Sequence, residues 1–167
     1  NSHFVTALLK KIYDASNNSE DSITLFGDGT PIRQFMYVKD LCNVIKYIID
    51  NEIYESFNVA TDEVLSISDI AKIAIDICNP TLSINWDITK PNGQYRKDVS
   101  IDKMKSILDI EITSLKDGIK KVYNEYDKAS IKKGIHFIMI TRYSLSLIFF
   151  LAILTTLHQK NSIFNAI

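Results

Sequence analysis

LFGDGTPIRQFMYVKDL, residues 25–41, joins two β-rich segments through a turn and leads into a helix. Glycine and proline dominate residues 27–31, a composition that is typical of a tight turn. Residues 23–26 before the turn and 32–38 after it are rich in the β-branched and aromatic side chains that favour strands. Apolar residues then recur at helical spacing from residue 39 to 50. This stretch therefore predicts a strand, a turn, a second strand and a helix.

The same alternation continues on both sides of this stretch. Ser66 and Asp69 are three residues apart and resemble a capping box at the start of a helix. Gly118 lies inside another helical pattern and predicts close packing there, because helical glycine costs about 1 kcal/mol relative to alanine. The predicted elements are helices at residues 2–15, 66–78, 100–108 and 114–126, each starting with a serine cap, and strands at 57–60 and 82–86. Together they predict an α/β fold.

The charge balance restricts the classes of partner. Lysine and arginine together number 19, and aspartate and glutamate together number 20. Such a chain has no global field to attract nucleic acid or anionic lipid, so any anion site must be local. Cys42 and Cys78 lack metal-ligand spacing, and we expect both to be reduced, buried residues of a cytoplasmic protein.

The two ends of the chain differ from its middle. The chain begins at Asn1 without an initiator methionine or a signal-peptide pattern, which we interpret as the start of a fragment. An apolar tail at residues 129–167 follows a predicted folded domain at residues 1–128. Within the tail, residues 135–157 approach the length of about 20 apolar residues that spans a bilayer, although Arg142 interrupts them. Three interpretations are open: a membrane-contacting segment, an apolar C-terminal helix of the core, or a run-on translation without a selected fold.

Three features of the sequence are candidates for chemistry, namely Arg33, the basic loop at residues 90–98 and His3, and a glycine turn is a fourth feature that is not. The GDG turn lacks the third glycine and the following helix of a dinucleotide-binding loop, so it is interpreted as a turn only. Arg33, in an extended stretch between apolar residues, suits bidentate binding of phosphate; a surface salt bridge is the alternative. The basic loop KPNGQYRKD, residues 90–98, can close over a diphosphate or be an ordinary charged surface loop. His3 is either an acid or base for proton transfer or a structural histidine.

Four segments in order resemble one family. These are NSHFVTALLKK (residues 1–11), LFGDGTPIRQFMYVKDL (25–41), FNVAT (57–61) and KPNGQYRK (90–97), followed by SLKDGIKKVY (114–123). They are similar to the C-terminal half of GDP-L-fucose synthases, which belong to the extended short-chain dehydrogenase/reductases. The resemblance runs from residue 1 to about residue 128. It implies the substrate-binding portion of that fold, without most of the Rossmann sheet.

The resemblance also implies a reaction and a set of site residues. GDP-L-fucose synthases epimerise GDP-4-keto-6-deoxymannose at C3 and C5 and then reduce the C4 ketone with NADPH. By position, His3 matches the acid/base histidine of the family. Phe26 stands where tryptophan is common in the family, and Asn92 where aspartate is common. The residues implied to bind substrate are Asn1, Phe4, Leu8, Lys11, Phe26, Arg33 and Lys97, with the three cations on the diphosphate or nucleotide and Phe4 and Leu8 near the base.

Other parts of the family pattern are missing from this chain. In the family, the NADPH loop and the serine, Tyr-x-x-x-Lys and cysteine lie N-terminal to the matched segments. The resemblance therefore implies NADPH in the full-length protein and no cofactor bound to this chain alone, with the Rossmann half and a second copy in a homodimer as partners. Residues 57–60 would then expose an unpaired strand edge, and we expect marginal stability or aggregation of the isolated chain. The alternatives are another nucleotide-sugar epimerase or reductase, and a non-catalytic, membrane-tethered remnant that binds sugar nucleotides.

Overall fold

A computed structural model describes residues 3–130 and 140–141 of the chain, with side chains described as far as residue 125. Helices and strands alternate along it, as the sequence predicts. The elements are α1 (Phe4–Asn17), β1 (Ser22–Phe26), β2 (Ile32–Arg33), β3 (Phe35–Met36), α2 (Val38–Asp50), β4 (Leu65–Ser66), α3 (Ile67–Cys78), β5 (Ser83–Asp87), β6 (Arg96–Lys97), α4 (Asp102–Ile107), α5 (Leu115–Ser130) and β7 (Ile140–Thr141).

The larger of two hydrophobic cores lies between a parallel pair of strands and three helices. β1 and β5 pair in parallel, with Ser22 opposite Ser83 at one end and Phe26 opposite Asp87 at the other. Helices α1, α3 and α5 pack around this pair and against one another. On α1 the buried residues recur at helical spacing, so one whole face of the helix enters the core; they are Val5, Leu8, Leu9, Ile12 and Ala15. Truncating one of these leucines to alanine would cost about 2–5 kcal/mol.

The smaller core lies between α2 and α4. Val44 and Ile48, one helical turn apart on α2, pack with Met104 of α4. The other buried residues of this core are Met36, Ala60, Ile101 and Leu108. Because Met36 belongs to β3 and follows directly on Phe35 of the larger core, the short strand β3 joins the two cores.

A mixed sheet of three short strands connects the glycine turn to the basic loop. β2 lies in its centre, antiparallel to β4 and parallel to β6. The sequence predicted neither β4 nor β6, since each has only two residues and forms by pairing with β2. The sheet extends into the start of α3, where the Ile67 backbone nitrogen donates to Pro31 and that of Ser68 to Gly29.

Two helix starts follow the predicted caps and two do not. Ser66 accepts a hydrogen bond from the Asp69 backbone nitrogen at 3.0 Å, which confirms the capping box of α3. Ser114 accepts one from the Asp117 backbone nitrogen at 3.1 Å, at the start of α5. The N-cap of α1 is His3 rather than Ser2, and the N-cap of α4 is Ile101 rather than Ser100. Neither His3 nor Ile101 makes a capping hydrogen bond with its side chain.

Some predicted details are wrong. Residues 57–60 form no strand; Phe57 and Val59 instead pack against the smaller core as irregular chain. Cys42 is exposed, because it lies on the face of α2 opposite Val44, whereas Cys78 is partly buried. Burial raises the pKa of the Cys78 thiol to about 12, so this cysteine stays protonated near neutral pH. Gly118 packs at an ordinary distance, since an added Cβ would lie 3.6 Å from the Tyr37 Cβ.

The apolar tail is described only where it meets the folded part. Ile140 and Thr141 pair antiparallel with Met36 and Phe35, so these two residues are a strand and not part of the predicted apolar helix. β-branched side chains favour this conformation, and β3 supplies the pairing edge. The rest of residues 135–157 lies outside the described residues. Within the described part of the chain, no helix has the length and apolar character needed to cross a membrane.

Candidate functional site

Two of the predicted phosphate-binding cations lie side by side. Arg33 on β2 and Lys97 on β6 are directly opposite each other in a parallel pairing, and both side chains are half-buried. Opposed residues of neighbouring strands project from the same face of a sheet. The two cationic side chains therefore project from neighbouring positions on one face of the sheet, and such an arrangement favours an anion between or beside them.

Arg33 also holds the basic loop in place. Its guanidinium donates to the Gln94 carbonyl oxygen at 2.7 Å and to the Tyr95 carbonyl oxygen at 3.5 Å. The backbone nitrogen of Ile32 donates to the same Tyr95 oxygen at 2.7 Å. The basic loop is consequently fixed against β2 on the residues that precede Lys97.

Asn92 fixes the other end of the basic loop to the glycine turn. Its Oδ1 accepts a hydrogen bond from the Asp28 backbone nitrogen at 2.8 Å. Gly27 has a φ of +81°, and an added Cβ would lie 2.1 Å from this oxygen, so the backbone there requires glycine. Hydrogen bonds from the backbone and hydroxyl of Thr30, and then from the Asn92 side chain, lower the pKa of Asp28 below its ordinary value.

Arg96, although it is next to Lys97, has a different role. Its guanidinium makes two hydrogen bonds of 2.7 Å to the Asp98 carboxylate, a bidentate ion pair. The Asp98 carboxylate raises the pKa of Arg96, first through hydrogen bonding and then through its charge. This pairing compensates the charge of Arg96, which separates it from the Arg33–Lys97 pair.

Lys11 lies beside an exposed aromatic ring. Its Nζ donates to the Thr24 carbonyl oxygen of β1 at 2.5 Å and lies 5.3 Å from the centre of the Phe26 ring. Phe26 is 64% exposed and is the last residue before the glycine turn. An exposed ring with a cation at its face can stack on a planar base while the cation contacts a phosphate.

The remaining predicted site residues are at the start of α1. His3 is exposed at the N-cap, and the Phe4 ring lies 6.2 Å from the Phe35 ring, two residues after Arg33. Leu8 is 1% exposed and faces the larger core. Asn1 lies outside the described residues. The structure thus brings together Arg33 with Lys97 and Lys11 with Phe26, and it places Leu8 away from solvent.

Gln34, which the sequence analysis did not select, and Asn92, which it noted only as a departure from the family, are important for this geometry; Asp40 is a further buried polar residue away from the basic loop. Gln34 and Asp40 are buried, and Asn92 joins the glycine turn to the basic loop. Asp40 accepts hydrogen bonds from both the backbone nitrogen and the hydroxyl of Thr113. These bonds fix the chain just before α5 begins. The sequence contains a signal for Gln34, which is an uncharged polar residue in a largely apolar stretch. An amide that is buried there requires hydrogen-bond partners.

The glycine turn does not fit a dinucleotide. It leads into the strand β2 and not into a helix, so it has no helix N-terminus to receive a diphosphate. The Asn92 side chain covers the Gly27 backbone. Among the described residues, no group of three or more histidine, cysteine, aspartate or glutamate side chains could hold a metal ion.

Two cavities in the described part are lined by residues other than these. One, of about 570 Å³, lies at the start of α5 along residues 111–124. The other, of about 170 Å³, lies in the smaller core, with the Asp62–Lys105 ion pair among its lining residues. The hydrogen bond and charge of Lys105 lower the pKa of Asp62. Neither of these two cavities includes the paired side chains around the basic loop, which form the candidate site.

Comparison with known proteins identifies relatives that match most of this chain. Residues 1–60 match the NAD dependent epimerase/dehydratase family. GDP-L-fucose synthase 1 of Arabidopsis thaliana is 29% identical over 77% of this chain and 40% of its own length. GDP-L-fucose synthase of Dictyostelium discoideum is 31% identical over 71% of this chain and 38% of its own length. The chain spans about two fifths of the length of the curated relatives it matches.

The fold is also similar to that of solved structures. A GDP-L-fucose synthetase from Naegleria fowleri superposes with a TM-score of 0.69 over 80% of this chain and 42% of that protein, at 24% identity. The same protein has been solved bound to NADP. These similarities confirm the resemblance on which the sequence interpretation depends.

Proposed function

We propose that this chain, whose residues 1–60 match the NAD dependent epimerase/dehydratase family, binds the GDP-sugar substrate of a GDP-L-fucose synthase. In this proposal the chain supplies the sugar-nucleotide site, and a Rossmann portion that it does not itself contain supplies the NADPH site. The relatives named as GDP-L-fucose synthases support the substrate, and their greater length supports a second portion.

The pairing of Arg33 with Lys97 carries this proposal. A diphosphate has two negatively charged groups, and two cations on neighbouring strands can each bind one of them. Arg33, whose guanidinium also donates to carbonyl oxygens of the basic loop, supplies a fixed positive charge, and Lys97 supplies a point charge on a flexible stem. Lys11 and Phe26 provide a second cation and an aromatic face for the rest of the nucleotide.

His3 has the proposed role of acid and base at the sugar. A ketone at C4 acidifies the C–H bonds at C3 and C5, so removal of a proton there produces an enolate. Inversion needs two groups on opposite faces of the carbon: a base, which we assign to the cysteine of the other portion, removes the proton from one face, and protonated His3 donates a proton to the opposite face. It is exposed at the start of α1, beside the Phe4–Phe35 contact that follows Arg33 in the chain. Reduction of the C4 ketone needs hydride from NADPH, and we assign that step to the other portion of the enzyme.

Calorimetric titration of the chain with GDP tests the proposed binding site. We expect saturable binding that Lys97→Met weakens by about tenfold, since a hydrogen bond to a charged group contributes about 1.5–3 kcal/mol. Lys72→Met, which changes an exposed lysine of α3, is the matched control and should leave the affinity unchanged. Absence of GDP binding, or equal loss in both variants, would reject the proposal.

Another nucleotide-sugar enzyme is the second candidate. Phe26 and Asn92 depart from the residues that are common in GDP-L-fucose synthases, and both lie at the candidate site. The same titration with UDP and dTDP separates the two candidates. Tighter binding of either nucleotide than of GDP would favour the second candidate and assign the chain to a different sugar nucleotide.

A further inference from the structure

Gln34 is a buried amide whose two ends are both hydrogen-bonded. Its side chain is 4% exposed and lies between Arg33 and Phe35 in the sequence. Its Nε2 donates to the Thr61 carbonyl oxygen at 2.9 Å and to the Val99 carbonyl oxygen at 3.1 Å. Its Oε1 accepts from the Val99 backbone nitrogen at 2.8 Å. The side chain thus pairs with both backbone groups of Val99, much as a neighbouring strand would.

These bonds fix the chain on the far side of Lys97. Val99 follows Lys97 by two residues, and Gln34 follows Arg33 by one. On the near side, the Arg33 guanidinium holds Gln94 and Tyr95. The basic loop is therefore attached to β2 both before and after the strand that carries Lys97. Only two residues pair directly in β2 and β6, so these outer attachments are needed to keep their register.

The chemistry of the contact requires an amide. Two acceptors and one donor face the Gln34 side chain, and an amide supplies two donors and one acceptor. A carboxylate at this position would face two carbonyl oxygens without a donor, and an apolar side chain would leave one buried backbone group, of Thr61, and two partly buried ones, of Val99, without their hydrogen bonds to residue 34. Each loss carries the full desolvation cost of a buried polar group.

We propose that Gln34 is a positioning residue, which sets the spacing of Arg33 and Lys97 so that both cations bind one diphosphate. This inference rests on the proposed function. Gln34 itself is buried and contacts the backbone of the site, so its effect on a ligand passes through Lys97 and Arg33.

The test compares Gln34→Met with Asp40→Asn in the full chain, with GDP as the probe. Asp40 is buried to a similar degree, at 5% exposed, and bonds to Thr113 away from the basic loop. Thermal denaturation measures the loss of stability in each variant, and calorimetry measures the dissociation constant. We expect Gln34→Met to weaken GDP binding by about tenfold, and Asp40→Asn to change it by less than about twofold at comparable loss of stability. Equal effects of the two variants, or unchanged affinity in Gln34→Met, would overturn the positioning role while the proposed function stands.

A measurement on the unaltered chain covers the case in which Gln34→Met does not fold. Hydrogen exchange of the Val99 N–H, which donates to Gln34, should slow when GDP is bound, because the ligand stabilises the attached strands. Unchanged exchange of Val99 in the presence of saturating GDP would reject the inference. Failure of the unaltered chain to bind GDP would reject the proposed function, and the positioning role with it.

Discussion

At the scale of single residues, the two departures from the common family pattern have structural consequences. Asn92 accepts a hydrogen bond from the Asp28 backbone nitrogen, and its side chain helps to lower the pKa of Asp28. An amide at this position is therefore compatible with the glycine turn of this chain. Phe26 presents its ring to Lys11 and remains exposed. The sequence marked both positions as unusual, but it could not show that Asn92 contacts Asp28, 64 residues away, because that contact depends on the folded loop.

Replacement of Asn92 by aspartate should raise the pKa of Asp28. The substitution removes an amide that stabilises the Asp28 carboxylate and adds a second negative charge beside it. In the folded protein the lowered pKa of Asp28 contributes stability above the ordinary aspartate value of about 3.9, and this contribution is lost as the pH falls through the folded value. Between pH 4 and pH 2, the free energy of unfolding should therefore fall less in the variant than in the unaltered chain. The expected difference is on the order of one charged contact.

Carbon-13 NMR titration of the Asp28 carboxyl group measures this pKa directly. Asn124→Asp, an exposed substitution on α5, is the control and should leave the Asp28 titration unchanged. A pKa of Asp28 that is equal in the unaltered chain and the Asn92→Asp variant would show that Thr30 alone determines it.

At the scale of elements, helices were predicted well and the short strands were not. The apolar spacing of α1, α2, α3 and α5 is a local property, and each helix covers most of its predicted range. The strands β4 and β6 exist because β2 lies between them, and such tertiary pairing leaves no mark on two residues of sequence. Residues 57–60 do not form the predicted strand. Their apolar side chains pack against the smaller core, but none of the described strands pairs with their backbone.

The capping box of α3 should make Ser66 more important to stability than Ser100. Ser66 accepts from Asp69 and starts a helix of 12 residues that enters the larger core. Ser100 accepts from Asp102 but precedes the N-cap of α4, a helix of six residues. We expect Ser66→Ala to lower the free energy of unfolding by about 1 kcal/mol and Ser100→Ala by less.

Urea denaturation of the two variants, followed by circular dichroism at 222 nm, decides between these expectations. Both serines are changed to the same residue, so helix propensity and side-chain size are matched. A larger loss of stability in Ser100→Ala would contradict the assignment of the stronger cap to α3.

At the scale of the whole molecule, the candidate site and both cores lie within residues 3–125. The residues that pair at the site lie between 11 and 97, and among the side chains that the structure describes, as far as residue 125, the last buried core residue is Val122. In the sequence, composition alone distinguishes residues 3–125 from the apolar tail. It could not show that β7 returns to pair with β3, because a two-residue pairing depends on where the folded domain presents an edge.

Truncation after Ser130 should therefore preserve the fold and GDP binding. The shortened chain loses the pairing of Ile140 and Thr141 with β3, which is small beside the burial of helices α1, α3 and α5 in the larger core. We expect circular dichroism of the shortened chain to show cooperative unfolding, and its GDP affinity to remain within about twofold of the full chain. Truncation after Ser114 is the contrasting change, because it removes α5 and with it Leu115, Ile119 and Val122 of the core. This second chain should not fold cooperatively. If truncation after Ser130 abolished folding or binding, the tail would be an integral part of the domain, and the site could not be understood from the described residues alone.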